Sequence, residues 1–550
     1  MHAAFLVLLG LVAQVDSSPA VAADNGPREV VVAVCPAEFR AAFAPWVIYR
    51  TNQGYDVRVI SNKGNPKEIR RRIRQAVPEG QPKFLVLVGD VPTGMNGKPI
   101  GRLDKAARAR CVPAPYAKAK VNVHWGSEPL IPNDAWYADW DDDRVPDVAQ
   151  GRLTADTPDD LKTMIEKIIA YERSTDFRPW RRKLNFVAGV GGFGAMADMA
   201  IESATRFMLT SGIPADRQVS MTQANWRAVY CPDPRKINQT TIDRLNDGAM
   251  FWAYIGHSGP RRLATMRVPG GQYPLLNARD VARLHADGGP SIALFLACYV
   301  GAIDGRFDCL GEELLRQKGG PVGVVAGSRV NMPYAMAVMG MDLMDACFRR
   351  HAPTLGEAVL SAKRSLVVVP KKKTPVRTMI DSIASLVSPN ASNMADERAE
   401  HVVLFNLLGD PCLRLRHPQA VKLDVVFDEN DPTKVVVKGD SPLAGRATVE
   451  LVRPLGQLGF RPPRRSKYPN SPDELAEFDK IYKKANDGQI SSAKLQVTPG
   501  PFQVELKVPE GLVGKFPIRV FIEGKDGFGS GAAELHLKKQ EEQPAVGSGQ

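Results

Sequence analysis

Two stretches of the 550-residue sequence end an apolar run on a side chain able to do nucleophilic chemistry. Phe251-Trp252-Ala253-Tyr254-Ile255-Gly256 leads into His257-Ser258-Gly259, and Ile292-Ala293-Leu294-Phe295-Leu296-Ala297 leads into Cys298. A cysteine attacks a carbonyl carbon as its thiolate, and a nearby imidazole both favours that form and protonates the leaving amine. Taken alone, Cys298 reads as a buried core cysteine and His257 as a hydrogen-bonded turn residue. Their parallel placement shifts the balance. In an open parallel sheet, ligands sit beyond the carboxyl ends of the strands, so both groups are expected in one crevice. The glycines beside His257 let a substrate backbone approach and leave amides available to an oxyanion.

A second group of residues has the chemistry of a cation site. Asp139, Asp141 and Asp143 alternate in the loop that ends at Asp147, as carboxylates do around calcium, although the central glycine and closing glutamate of an EF-hand are missing. A solvated acidic turn is the alternative, and Asp147 cannot easily serve both a metal and a histidine. Asp156, Asp159 and Asp160 open the next helix, where stabilisation of a helix N-terminus accounts for them. Asp159 and Asp160 are also weak candidates for holding basic substrate side chains. Gly189 to Gly194 fits G-x-G-x-x-G between a strand and a helix. A tight glycine turn competes with a dinucleotide loop there, and an exported chain would not meet nicotinamide cofactors. Neither a G-x-S-x-G elbow nor a phosphate-binding G-x-x-x-x-G-K-[ST] loop occurs.

The elements that must position these groups follow from periodicity. Short β-branched runs, Val30 to Val34, Asp56 to Ile60 and Phe84 to Val88, alternate with amphipathic stretches, which predicts a mostly parallel sheet covered by helices. The alternation resumes at Ala135 to Ala138 and Val148 to Gly151, then a helix from Pro158 to Glu172. A second unit begins near Arg181 with strands at Leu184 to Ala188, Ala249 to Ile255, Ile292 to Ala297 and Pro321 to Ala326, and a helix around Met196 to Thr210. Val369 to Asn393 reads as an insertion or loop. After Pro418, seven short strands separated by turn residues predict a β-sandwich of immunoglobulin-like type, interrupted by a charged, helix-capable insert.

Composition bounds the rest. Met1 to Ala23 has the apolar stretch and small-residue end of a cleaved signal peptide, which predicts a secreted, periplasmic or cell-surface protein. No later run reaches the length of a membrane span. The formal charge is +12, with basic clusters at Arg70 to Arg74, Arg178 to Lys183, Lys371 to Lys373 and Arg461 to Lys467. They are scattered and not interleaved with aromatics, so solvated faces are favoured over a nucleic-acid surface. The seven cysteines form no C-x-x-C pair, which argues against a zinc cluster, and an odd number allows a free thiol.

These pieces together resemble the gingipain-type cysteine peptidases, relatives of caspases in a shared caspase-like fold. The resemblance rests on Tyr254-Ile255-Gly256-His257-Ser258-Gly259, on Leu296-Ala297-Cys298, on Gly311-Glu312-Glu313-Leu314-Leu315, and on the run from Gly319 to Ser328. Upstream it includes Phe84 to Asp90 and Pro146 to Leu153; downstream it closes on Phe405 to Pro411. It covers residues 27 to 416. It implies that Cys298 attacks the scissile carbonyl, that His257 transfers protons, that Asp147 is the acidic partner of the histidine, and that backbone amides at Ser258 and Cys298 hold the oxyanion. Ser258 stands where the family usually has glycine, and little chain precedes the catalytic region for a long prodomain.

The expected organisation is a signal peptide over 1–23, an α/β subdomain over 27–180 and a catalytic caspase-like α/β subdomain over 181–418. The immunoglobulin-like sandwich follows over 419–538, with an insert at 462–488, then a disordered tail over 539–550. The expected function is a cysteine endopeptidase that works through a thioester on protein or peptide substrates and requires no cofactor; a structural calcium ion competes with a solvated acidic turn. A sorting transpeptidase of the same fold and a catalytically silent adhesion protein are the alternatives.

Overall fold

The computed structural model describes residues 28–101, 103–191, 212–368, 373–387, 391–427, 431, 433–469 and 471–538. The signal-peptide region, the helix expected around Met196 to Thr210, the end of the Gly189–Gly194 motif and the tail from 539 lie outside them. The centre is one ten-stranded sheet. Its strands are β1 (Val30–Val34), β2 (Asp56–Ile60), β3 (Phe84–Val88), β4 (Ala149–Leu153), β5 (Lys183–Ala188), β6 (Gln218–Gln223), β7 (Phe251–Ile255), β8 (Ile292–Leu296), β9 (Gly323–Gly327) and β10 (Phe405–Gly409). They lie in the order β2-β1-β3-β4-β10-β9-β8-β7-β5-β6.

Runs such as FLVLV in β3 and IALFL in β8 have no polar face because helices cover both sides, and every residue of both strands is buried. The outermost strands, β2 and β6, are mostly half-buried and carry charged or polar side chains. Gln218–Gln223 was not expected as a strand, for the same reason: an edge strand lacks the apolar run. Ala135 to Ala138 is a turn of 3-10 helix rather than a strand. The stretch expected as a loop after Val369 contains the helix Pro375–Val387, which buries Val376, Ile380 and Ala384 at four-residue spacing and pairs Arg377 with Asp381 at 3.0 Å.

The two α/β units do not form separate sheets. Strands β2, β1, β3, β4 and β10 run one way. Strands β9, β8, β7, β5 and β6 are mutually parallel and run the other way, and the halves meet where β9 pairs antiparallel with β10. The chain returns to the middle of the sheet only at Phe405, and that late strand joins the halves. Directly after it, Asp410 is fully buried and accepts from the Trp46 indole and the Arg50 guanidinium. Arg50 also forms a bidentate pair with buried Glu172 at 2.9 Å, and the Arg414 amide donates to the same carboxylate. The helices Arg40–Asn52 and Pro158–Arg173 are thereby tied to the end of β10.

Residues 419–537 build two further sheets, one of five strands and one of three, which enclose Val435, Val437, Val449, Ile518, Val520 and Leu506. This unit is fixed to the α/β part by Glu450, whose carboxylate accepts from both Arg182 and Arg519 at 2.8 Å. Its helical insert, Pro472–Asn486, lies against β6 and places Leu475 and Phe478 in the main core. The exposed hydrogen-bonding edge of β6 is covered in this way.

Removing one partner of a buried ion pair leaves the other charge unpaired, at about 3–5 kcal/mol. Asp410→Ala leaves Arg50 with Glu172 as its remaining partner and the Trp46 indole without its acceptor, so it is expected to lower unfolding stability by less than that, about 1–3 kcal/mol, read as a lower urea midpoint. Glu38→Ala, which removes a half-exposed pair with Arg110, is expected to change it by less than about 1 kcal/mol.

Candidate active site

Strands β7 and β8 are adjacent and parallel, with Ile255 opposite Leu296. His257 and Cys298 each lie two residues past that last pair, so both emerge on the same rim of the sheet. The crossing is tight. The Gly256 amide donates to the Leu296 carbonyl at 3.3 Å, and Gly256 has a φ of 152°. A Cβ there would fall 2.9 Å from the Gly189 Cα, and one on Gly189 would fall 2.4 Å from the Tyr254 hydroxyl. Close packing of strand ends therefore accounts for the first glycine of the apparent dinucleotide motif.

The loops after the two strands are locked together. Tyr254 donates through its hydroxyl to the His257 carbonyl at 2.6 Å and accepts from the Ala264 amide at 3.3 Å. Ser258 donates through Oγ to the Cys298 carbonyl at 2.5 Å. Ser258 is not among the positive-φ residues, so a serine fits this position without strain. The residue after the cysteine does carry strain: Tyr299 has a φ of 62°, a left-handed conformation that side chains rarely adopt. It is held by its amide bond to the Arg329 carbonyl and its hydroxyl bond to Glu128 at 2.9 Å. Arg329 is itself buried against Asp304.

The sulfur of Cys298 receives a hydrogen bond from the Asn331 amide at 3.3 Å. Burial pushes the Cys298 thiol above its ordinary value, and this amide partly offsets the rise. Asn331 is buried and anchored by its own side chain to the Ala297 carbonyl at 2.9 Å. It can sit there only because residue 327 is glycine, where a Cβ would lie 1.9 Å from the Asn331 amide nitrogen. Sequence reading missed Asn331. It follows β9, the strand beside β8, so the carboxyl-end rule applied to a third strand would have pointed to it.

Asp147 is not brought to His257. It precedes β4, four strand spacings or roughly 19 Å across the sheet from β7. Its two oxygens are taken by the Trp140 amide at 2.7 Å and the Arg364 guanidinium at 2.8 Å. Asp159 and Asp160 stand at the start of the helix Pro158–Arg173, after the far end of β4, where Asp160 completes a capping box with Thr157. That is the rim opposite the cysteine, because β4 runs against β8. In the acidic loop, ligand oxygens of Asp139, Asp141 and Asp147 gather within 4.8 Å of one another. Asp143 is not in that group, and one of its oxygens accepts from the Val145 amide. Asp139 is buried, one of its oxygens has no hydrogen-bond partner, and burial raises its carboxyl.

Residues 23–416, well over half of the chain, match the family model described as Peptidase family C25. The chain belongs to peptidase family C25. Among curated relatives, Gingipain R2 of Porphyromonas gingivalis (strain ATCC BAA-308 / W83) is 25% identical over 299 residues, covering 52% of this chain and 35% of its own length. Lys-gingipain of Porphyromonas gingivalis (strain ATCC 33277) is 21% identical over 309 residues, 54% of this chain and 15% of its own. The chain therefore spans about a third or less of the length of these relatives. The crystal structure of the Arg-specific cysteine proteinase gingipain R superposes with a TM-score of 0.51 at 15% identity, covering 94% of this chain and 99% of that one. This C25 chain thus has the mixed α/β fold with a large parallel sheet that the sequence resemblance implied.

All seven cysteines of the chain are free thiols, and six of them are buried while Cys298 is partly exposed. Burial pushes Cys35, Cys111, Cys231 and Cys347 up to about 12. Iodoacetamide at mildly alkaline pH is expected to modify Cys298 in the native chain and the other six only after unfolding, as read by peptide mapping.

Proposed function

We propose that this C25 chain is a cysteine endopeptidase in which Cys298 is the nucleophile and His257 the general acid and base. The observation that carries the reading is the in-register pairing of β7 with β8, which delivers both side chains to one rim. His257 accepts the thiol proton as Cys298 attacks the scissile carbonyl, then donates it to the leaving amine. A thioester on Cys298 remains, and His257 activates water to hydrolyse it. Backbone amides near Ser258 and Cys298 face the developing oxyanion, and Ser258 keeps the two loops in register through its bond to Cys298. Asp147, committed to Trp140 and Arg364, has no part in this scheme. Protein substrates follow from family membership. Export through a signal peptide and an immunoglobulin-like identity for the two C-terminal sheets belong to the same proposal.

A calcium ion is also proposed, held by Asp139 and Asp141 together with Asp147, whose oxygens each keep a second lone pair beside their bonds to Trp140 and Arg364, rather than by Asp143. The grouping of carboxylates and the unpartnered buried oxygen of Asp139 fit a hard cation. The ion's contribution there would be structural, since the loop lies far across the sheet from Cys298.

Two outcomes are expected. Cys298→Ala should abolish cleavage of a denatured protein library while keeping the thermal midpoint of the native chain; equal cleavage by the variant refutes the peptidase reading. Added calcium at about a hundred times its dissociation constant should stabilise the chain by roughly 2.7 kcal/mol against chelator. Asp141→Ala should lose that gain, and identical melting of the native chain in calcium and in chelator refutes the cation site.

A further inference from the structure

The cluster Arg461 to Lys467 reads in sequence as a solvated basic loop, but the fold carries it to the active rim. It belongs to the insert 453–488, between two strands of the C-terminal unit, Gly445–Val452 and Gln489–Val497. The insert crosses to the α/β part and is anchored there at many points. Arg465 donates to the carbonyls of Trp226 and Ala228 and stacks on Phe478 with its guanidinium 3.7 Å from the ring centroid. Tyr468 meets Trp226 edge to face at 5.5 Å. Tyr482 shares a 2.7 Å hydrogen bond with Thr222 in β6, and Asn486 accepts from the Met221 amide. A loop tied down in this way does not drift in solvent.

Trp226 and Ala228 directly follow β6. Strands β6, β5, β7 and β8 are parallel, so the carboxyl end of β6 lies on the same rim as His257 and Cys298. It is two strand spacings from β7 and three from β8, about 10 and 14 Å. An extended peptide advances about 3.3 Å per residue, so this distance is about three or four residues of substrate. The hairpin Thr265–Val268 and Gly271–Pro274, which follows His257, bridges the gap and touches the same loop through Met266 and Cys231.

The charges of this surface do not cancel. Arg227, Arg262, Arg267, Arg461, Arg464 and Lys467 are exposed, and among the described residues none forms an ion pair. Of the acids nearby, Asp233 pairs with Arg235, Asp479 with Lys236 and Glu313 with Arg261, while Asp473 and Glu474 sit in the first turn of the helix Pro472–Asn486. Uncompensated cations beside a cleft concentrate anionic ligands and discriminate by charge.

We propose that the insert 453–488 forms the outer wall of the substrate crevice, and that its cations select peptides with Asp or Glu about three or four residues from the scissile bond. This rests on the peptidase reading and adds a substrate preference at subsites away from the cleaved residue. Arg465 and Tyr468 position the wall; Arg461, Arg464 and Lys467 present the charge.

The test uses the full chain and peptide pairs built on a cleaved library sequence, with Asp or Asn three and four residues to either side of the bond. In the native chain, the kcat/KM ratio of acidic to neutral peptide is expected to be about tenfold at low salt, expressed in KM, and to fall toward one at about 0.5 M salt. The triple variant Arg461→Glu, Arg464→Glu, Lys467→Glu, which leaves the anchors intact, should lose the preference. Reversal of Lys67 and Arg71, on the helix Pro66–Ala76 beside the far edge of the sheet, should keep it. A native ratio of one, or a ratio retained in the triple variant, overturns the wall. Failure of the peptidase reading looks different: no peptide is cleaved, or Cys298→Ala cleaves as well as the native chain. In that event the same peptides are measured for binding to Cys298→Ala by fluorescence anisotropy. An acidic preference lost in the triple variant then supports the wall, and equal binding of both peptides overturns it.

Discussion

The register between β7 and β8 is the constraint on which the site depends. Because the strands are parallel and Ile255 faces Leu296, a histidine and a cysteine placed two residues beyond reach the same rim without any long-range device. A slip of one residue would send one side chain to the opposite face of the sheet. The surrounding contacts defend that register. Gly256 packs on Gly189, Tyr254 grips the His257 carbonyl, Ser258 grips the Cys298 carbonyl, and Asn331 reaches Ala297 and the sulfur from β9. Each uses a group at the carboxyl end of a strand, so the sheet itself is the scaffold of the chemistry.

The two halves of the sheet contribute differently. The second half holds His257 and Cys298, while the first supplies a wall, since Glu128 binds the hydroxyl of the strained Tyr299 and Ser127 lies beside the Val330 amide. Their relative placement depends on β10, inserted late in the chain, and on Arg50, which gathers Glu172 and Asp410 at its end. The C-terminal unit adds a third body to the same rim. Its helical insert covers the edge of β6 and brings a basic loop alongside the hairpin that follows His257.

Sequence made the neighbouring strand ends before His257 and Cys298 legible because the signal was local and physical: an apolar run ending abruptly in a polar side chain. The buried strands were legible for the same reason. What failed were inferences needing knowledge of strand order. Asp147 was paired with the histidine by family resemblance, but β10, β9 and β8 stand between β4 and β7, and Arg364, more than two hundred residues away in sequence, claims its carboxylate. Asp143 fell out of the acidic cluster because alternation along a loop does not say which side chains turn inward. Asn331 was invisible because its contribution is a backbone amide, and β6 because edge strands carry no continuous apolar run. The Arg461 to Lys467 cluster looked solvated because nothing local reveals that Arg465 and Tyr468 are anchored on Trp226.

The central claim is that strand register makes His257 the proton acceptor for Cys298. Burial holds this thiol above its ordinary value and the Asn331 amide offsets only part of the rise, so the proposed mechanism assigns its reactivity at neutral pH to the imidazole. The most direct measurement is the second-order rate of Cys298 alkylation by iodoacetamide at neutral pH, followed by peptide mapping, in the native chain and in His257→Ala. The account predicts a fall of about tenfold or more in the variant, equivalent to at least one pKa unit of thiolate population. Equal rates in the two proteins would contradict it.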